Sequence, residues 1–233
     1  MKHLLLLLLC AALLLGTLCS CAKEQYDLLY EFEKGGLTYC VRGSGTRARQ
    51  VVVKRNSEIL FHQKTDVDRG VGTLGGDYGL SVLDLNFDGA DDFMLANEVA
   101  GDCIAYTCWL WSAEKETFVK HEALTGLCNI QTQYEPKEAI MAFSHSYEKL
   151  DENPKSQASV STDAATQYVW EDGELLPHIR VSMSYYSETN AYLYSVAYYD
   201  VETGTLVEDY NREKVLSAEE YRELDLSFLY YFK

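Results

Sequence analysis

The feature that most restricts the fold of this chain is the stretch LDLNFDGADDF at residues 83–93. It places five Asp or Asn side chains and one glycine between two apolar flanks, LSVL and FMLAN. Short apolar runs are typical of β-strands, and Asp, Asn and Gly are turn-forming residues. The stretch therefore predicts two strands joined by a tight acidic bend, which is a solvated turn, a catalytic carboxylate cluster or a cation site.

The spacing of the oxygen-bearing residues favours the cation site. Counted from the first Asp, a glycine takes the sixth position, where it permits a sharp turn. Calcium accepts about six to eight hard oxygen ligands, whereas magnesium demands near-octahedral geometry and keeps its waters. We therefore predict a Ca²⁺ site formed by four side chains and one backbone carbonyl: Asp84, Asn86, Asp88, Asp92 and the carbonyl of Ala90.

The bend does not have the pattern of an EF-hand. The twelfth position holds Leu95, where an EF-hand needs a bidentate glutamate, and the flanks are strand-like rather than helical. Asp91 does not match a ligand position, and we expect it to face solvent. A catalytic role is disfavoured because a tight cage leaves no open position for substrate.

Elsewhere the chain has only three prolines and many short alternating segments with turn residues between them. These segments predict hairpins at residues 50–63, 106–124, 166–186 and 191–210. We expect an all-β fold, a small propeller-like arrangement of antiparallel hairpins with one calcium loop; hairpins at this spacing fit a β-sandwich as the alternative.

The N-terminus reads as a lipoprotein leader. A basic start and an apolar run at residues 4–15 precede LCSC, which resembles a bacterial lipobox with Cys21 as the lipidated residue. The apolar run is too short to span a bilayer. We expect a signal peptide at residues 1–20 and an anchor and tether at 21–35. The protein would then sit in the bacterial cell envelope, held by lipid alone, at the outer membrane facing the periplasm or the cell surface.

The remaining residues, 36–233, are predicted to form a single β domain. The polar segment 150–163 lacks periodicity and predicts a flexible surface loop. Ser217 followed by Glu220 has the capping-box spacing, which predicts a short helix at residues 217–225.

The formal net charge of −16 becomes −17 when residues 1–20 are removed, because Lys2 leaves and no acidic residue does. Such acidity argues against nucleic acid and anionic lipid as partners. It permits a basic protein partner or a bound cation.

Four cysteines remain in the exported part once the leader and the lipidated residue are set aside, which suggests disulfides with three connectivities open. If residues 106–111 and 118–124 pair around Glu114, Cys103 falls close to Cys128. We therefore favour a Cys103–Cys128 bridge, with Cys40–Cys108 as the second pair.

The tyrosine-rich stretch at residues 185–199 is either strand packing or a recognition surface, since tyrosine suits both. The candidate surface residues are Tyr185, Tyr186, Tyr192, Tyr194 and Tyr198. No GxSxG, HExxH, Walker or dinucleotide-binding motif occurs, so we do not expect an enzyme.

The DxNxDGxxD bend resembles the calcium loop of FG-GAP and VCBS repeats. Together with the strand patterns at residues 51–61, 106–111, 118–124 and 168–175, it resembles a group of small bacterial periplasmic proteins and lipoproteins over residues 50–210. The segment 217–233 has no counterpart in that group.

This resemblance implies a propeller-like fold and the calcium ligands named above. It also implies binding of a protein partner, with inhibition of a peptidoglycan hydrolase, as by an immunity protein, as the leading hypothesis. A carbohydrate- or surface-binding module is the alternative, and an uncharacterised hydrolase is the second alternative.

Overall fold

A computed structural model describes most of the chain beyond the leader. The described residues are 26–45, 47–65, 77–135, 137–150, 158–200, 202–207 and 212–223. The predicted signal peptide and the lipidation site at Cys21 lie outside them. The described part is nearly all β-structure, arranged in three antiparallel sheets, so the all-β prediction is confirmed.

The first sheet is a meander of four consecutive strands. Its strands are β1 (Asp27–Lys34), β2 (Leu37–Ser44), β3 (Arg47–Arg55) and β4 (Glu58–Lys64). The predicted hairpin at residues 50–63 is the β3–β4 pair, and its turn residues Asn56 and Ser57 both have positive φ, as a tight hairpin turn requires. The tether prediction for residues 21–35 is wrong for 27–34, which form the edge strand β1.

The second sheet contains the acidic bend. Its strands are β5 (Ser81–Leu83), β6 (Asp92–Ala100), β7 (Cys103–Ser112) and β8 (Thr117–Lys120). The bend connects β5 to β6, which are paired antiparallel through Val82 and Phe93. The predicted hairpin around Glu114 is the β7–β8 pair.

The third sheet has six strands, again consecutive along the chain. They are β9 (Gln131–Gln133), β10 (Ala139–Lys149), β11 (Ser159–Glu171), β12 (Glu174–Tyr186), β13 (Ala191–Tyr198) and β14 (Arg212–Ser217). The turn between β11 and β12 is Asp172–Gly173, as its sequence predicts. The loop prediction for 150–163 is wrong at its end, because β11 begins at Ser159.

One helix follows β14. Helix α1 (Ala218–Glu223) starts directly after Ser217. The Ser217 Oγ accepts a hydrogen bond from the Glu220 N–H at 3.2 Å, and the Glu220 carboxylate accepts one from the Ser217 N–H at 2.8 Å. This reciprocal pair is the capping box expected from the sequence; the last two residues of the predicted helix, 224 and 225, lie outside the described residues.

Two apolar cores join the three sheets in chain order. The first lies between the first and second sheets and is aromatic, with Tyr39, Phe93, Trp109 and Phe118 in contact. The second lies between the second and third sheets. Its members include Leu85, Cys108, Leu124, Ile140 and Leu175.

The second sheet is therefore buried on both faces, which explains why the first five residues of β6 are all buried. Consecutive antiparallel meanders of this kind are common to propellers and sandwiches, and the propeller arrangement stays a prediction.

Candidate cation-binding bend and its surroundings

The acidic bend is folded by hydrogen bonds from its own backbone to its own carboxylates. The Asp84 carboxylate accepts the N–H groups of Asp88 at 3.2 Å and Gly89 at 2.8 Å. The Asp88 carboxylate accepts the Ala90 N–H at 2.8 Å. Gly89, at φ +85°, makes the left-handed turn that this wrapping requires.

Asp92 ends the bend and begins β6, and it is fully buried. One of its oxygens accepts the Leu85 N–H at 2.8 Å, and the other accepts the Trp111 N–H from β7 at 2.7 Å. Burial above all, together with the negative charges of Asp88 and Asp84, raises the pKa of Asp92 to about 7, although the hydrogen bonds from the Trp111 and Leu85 N–H groups act in the opposite direction. The side chain therefore links the two ends of the bend to the neighbouring strand at an electrostatic cost.

The predicted ligand residues occupy one bend, and their donor chemistry is that of a hard-cation site: three carboxylates, one amide and a backbone carbonyl. The Asn86 amide donates to the Asp88 carboxylate at 2.9 Å, so these two side chains are in direct contact. In the part of the chain that the structure describes, no three Asp, Glu, His or Cys side chains are close enough together to hold a metal ion. The chemistry of the donor set fits calcium, and Asp84, Asp88 and Asp92 would have to draw closer around it.

The sequence predicts that Asp91 faces solvent, but in the structure its side chain contacts the first sheet. Its carboxylate forms an ion pair of 2.7 Å with Lys34 at the end of β1, and the Lys34 ammonium also donates to the Val82 carbonyl at 2.9 Å. Gly35 follows Lys34, and a Cβ at that position would lie 3.1 Å from the Asp91 carboxylate. The first sheet therefore contacts the bend closely through the β1–β2 turn.

The third sheet contacts the bend from another direction. The Trp170 indole N–H, on β11, donates to the Leu85 carbonyl at 2.9 Å, and the Leu85 side chain is buried in the second core. The ring of Phe87 packs edge-on against Tyr134 at 5.3 Å. The bend thus contacts all three sheets. Sequence reasoning missed Lys34 and Trp170 because they are distant in the chain from the bend.

The disulfide between Cys103 and Cys128 is present, with 5.4 Å between the Cα atoms, so this prediction is confirmed. Strand pairing centred on Glu114 would place Cys108 opposite Lys120, whereas the structure places Trp109 there, so the predicted register differs by one residue.

The second predicted disulfide, Cys40–Cys108, is wrong: both are buried free thiols. Cys40 lies on the first sheet and its thiol donates to Glu31, whereas Cys108 lies on the second sheet in the second core. The neighbours of Cys40 along β2, Tyr39 and Val41, point into the first core, so Cys40 points away from the second sheet.

The five tyrosines proposed as a recognition surface do not share one face. Register places Tyr185, Tyr192, Tyr194 and Tyr198 on one side of the third sheet, and Tyr186 on the other. Tyr185 and Tyr192 pack at 4.9 Å, and Tyr221 of α1 stacks on Tyr192 at 3.9 Å. The capping box predicts the helix that contains Tyr221, but the sequence does not indicate that Tyr221 contacts Tyr192.

A second feature that the sequence missed is a hydrogen bond of 2.7 Å between the His145 ring on β10 and the Asp163 carboxylate on β11. These opposed residues border a cavity of about 340 Å³ together with Met183 and Tyr221. Asp163 lies in residues 150–163, which the sequence predicts to be a loop, so the sequence does not indicate its pairing with β10.

No helix within the described residues has both the length and the apolar character needed to cross a membrane.

No protein-family model matches this chain, and no curated protein matches its sequence. A solved structure described as "Structure of a Xanthomonas Type IV Secretion System related protein" has a similar fold, with a TM-score of 0.52 and 13% sequence identity. The match covers 83% of this chain and 97% of that chain. The fold of the present chain is therefore shared with that solved protein.

Proposed function

We propose that this chain is a lipid-anchored protein of the bacterial cell envelope that binds a basic protein partner and is stabilised by calcium at the acidic bend. The observation that carries the calcium part is the burial of Asp92 beside Asp84 and Asp88 in a bend that contacts all three sheets. Asp84, Asn86, Asp88, Asp92 and the Ala90 carbonyl would hold the ion. A bound Ca²⁺ would offset the mutual repulsion of the carboxylates.

The location rests on the lipobox-like LCSC at residues 18–21 and on the resemblance to small envelope lipoproteins. The structural neighbour, described as related to a type IV secretion system, is compatible with it.

The partner is proposed to be a peptidoglycan hydrolase, and the chain an inhibitor rather than an enzyme. Hydrolases that act on the anionic cell wall are often basic, and the net charge of −17 that remains once residues 1–20 are removed from a chain of −16 would steer such proteins toward it. Steering of this kind raises association rates about 10- to 1000-fold and weakens with salt. Because the bend contacts all three sheets and holds them together, the protein would also lose little conformational entropy on binding its partner.

The test titrates the unlipidated chain, residues 22–233, into cell-wall glycosidases and amidases from the same genome at low and high salt. We expect inhibition of at least one of them, with an association rate that falls steeply as salt rises. If none is inhibited, binding to purified glycans is measured next, with Tyr192→Ala as the variant. Glycan binding that this variant abolishes would replace the inhibitor with the carbohydrate-binding alternative, which the contacting rings of Tyr185, Tyr192 and Tyr221 favour.

A further inference from the structure

One face of the third sheet is apolar and buried without belonging to either core. Register places five apolar side chains on the face that also carries Tyr192. Each of them is 6% exposed or less: Met141, Ala165, Val181, Met183 and Leu216. In the described part of the chain, none of the five is a member of the two cores that join the sheets. Since side chains on an uncovered sheet face stay in contact with solvent, this face has a cover of its own.

Helix α1 supplies only part of that cover. Its Tyr221 ring stacks on Tyr192 at 3.9 Å, so the helix lies over β13 and β14. The helix has six residues and is therefore about 9 Å long at 1.5 Å per residue. The buried face extends from β10 to β14, which is about 19 Å at roughly 4.8 Å per strand spacing. Helix α1 is too short to reach Ala165, Val181 and Met183 on β11 and β12 as well.

The chain continues from α1 with an apolar segment, LDLSFLYYFK at residues 224–233, which lies outside the described residues. Seven of its ten residues are Leu, Phe or Tyr. Ten residues span up to about 33 Å when extended, so the segment is long enough to cross the face from the end of α1. The longer undescribed stretches that flank strands of the third sheet, DENPKSQ at 151–157 and EDYN at 208–211, are polar by comparison. The C-terminal segment thus has the length, the starting point and the composition that this face requires.

A second copy or another protein is a weaker candidate for the cover. The C-terminal segment starts beside the face, because it follows Glu223 at the end of α1. Covalent attachment through a short connection gives a segment an effective concentration in the millimolar range, which a separate chain does not have. The intramolecular cover is therefore favoured.

We propose that residues 224–233 form a C-terminal strap that packs across this face and closes a third apolar core over β10–β14. Tyr192 and Tyr194 lie on the same face, so the strap assigns their rings to packing within the protein. This face is then not available as a platform for glycans or for a protein partner. The strap uses none of the residues of the acidic bend and does not depend on calcium.

Methionine oxidation measures what the strap protects. Met141 and Met183 lie under the proposed strap, whereas Met94 lies in the second core and serves as the internal control. In the full chain all three are expected to react slowly with hydrogen peroxide. In a chain that ends at Glu223, Met141 and Met183 are expected to oxidise about tenfold faster or more, with Met94 unchanged, because only their cover is removed. Unchanged oxidation of Met141 and Met183 in the shortened chain would overturn the proposal.

A second experiment uses the full chain and stands by itself if the shortened chain does not fold. The photoreactive residue p-benzoylphenylalanine replaces Phe228, and after irradiation mass spectrometry identifies the crosslinked peptides. We expect crosslinks within one chain to the peptides of β11 or β12 that carry Ala165, Val181 or Met183. The same photoreactive residue at Ile59, an exposed position on the first sheet, is the matched control and is expected to give none of these crosslinks. Crosslinks from position 228 that join two copies, or that reach only the first or second sheet, would contradict the strap.

Discussion

Asp88 and Asp92 belong to the same bend, but their side chains contribute differently to its fold. Both oxygens of Asp92 are taken by N–H groups from two segments, so replacing it would break the local fold as well as any cation site. The Asp88 side chain is exposed, and its hydrogen bonds to described residues lie within the bend, where it accepts the Ala90 N–H and the Asn86 amide. A substitution at Asp88 therefore separates cation binding from folding.

We predict that residues 22–233 gain thermal stability with calcium and that Asp88→Ala abolishes the gain. A ligand at 100 times its dissociation constant adds about 2.7 kcal/mol if it avoids the unfolded chain. For a domain of this size that is about 5–10 °C in the melting temperature. Calorimetry with calcium and then with chelator measures it; identical melting curves in both would show that the bend is only a turn.

Asp91→Asn is the matched control, because it removes one negative charge from the same bend without removing a predicted ligand. It breaks only the surface ion pair with Lys34, which is worth at most about 1 kcal/mol. Its melting temperature should still rise with calcium by the wild-type amount.

At the scale of elements, local turn chemistry explains what the sequence could predict. The turns at Asn56–Ser57 and Asp172–Gly173 and the capping box at Ser217 each depend on a few adjacent residues. Strand β1 was missed because it is a largely exposed edge strand with no buried alternating face. The start of β11 was missed because Ser, Thr and Asp are turn formers in sequence, although here they pair with β10 and β12.

In the candidate site, too, the local features could be predicted from the sequence and the long-range contacts could not. The five predicted ligand positions follow from spacing within nine residues, which the sequence shows directly. The contacts that dock the bend, from Lys34 and from Trp170, depend on how three sheets pack, and no local pattern encodes that.

We predict that Trp170→Phe destabilises the protein by about 1–2 kcal/mol, because the aromatic ring is kept while the Leu85 carbonyl loses its donor. Urea denaturation measures the change as a lower midpoint with an unchanged slope. The calcium-induced gain in melting temperature should persist, since no ligand is altered. A variant as stable as the wild type would mean that this hydrogen bond does not couple the third sheet to the bend.

At the scale of the whole molecule, one bend and two cores tie three sheets together. The bend forms an ion pair with the first sheet. It accepts one hydrogen bond from a backbone N–H of β7 in the second sheet and another from an indole N–H in the third. The second sheet, buried on both faces, cannot separate from either neighbour without exposing a core. We therefore expect the three sheets to unfold as one cooperative unit.

The free thiols of Cys40 and Cys108 can show whether the three sheets unfold together, because they lie on different sheets. Burial raises the pKa of Cys108 to about 12 and also raises the pKa of Cys40, so the reactive thiolate is scarce in the folded state. We predict that neither thiol of residues 22–233 is alkylated at pH 8, and that both are alkylated at the same rate in increasing urea. Mass spectrometry of the labelled peptides distinguishes the sites, and earlier labelling of Cys40 would show that the first sheet opens separately.

The hydrogen bond between Trp170 and Leu85 spans 85 residues of chain, and this has a kinetic consequence. A polypeptide delivered N-terminus first presents its first sheet and the bend well before Trp170 emerges. During that interval the apolar face of the second sheet that receives Ile140 and Leu175 stays uncovered. Closing so long a loop is slow, because its entropy is lost before the contacts that reward it are made. The nascent protein is thus most exposed to aggregation just after its acidic bend has formed, and the arrival of β11 and β12 ends that period.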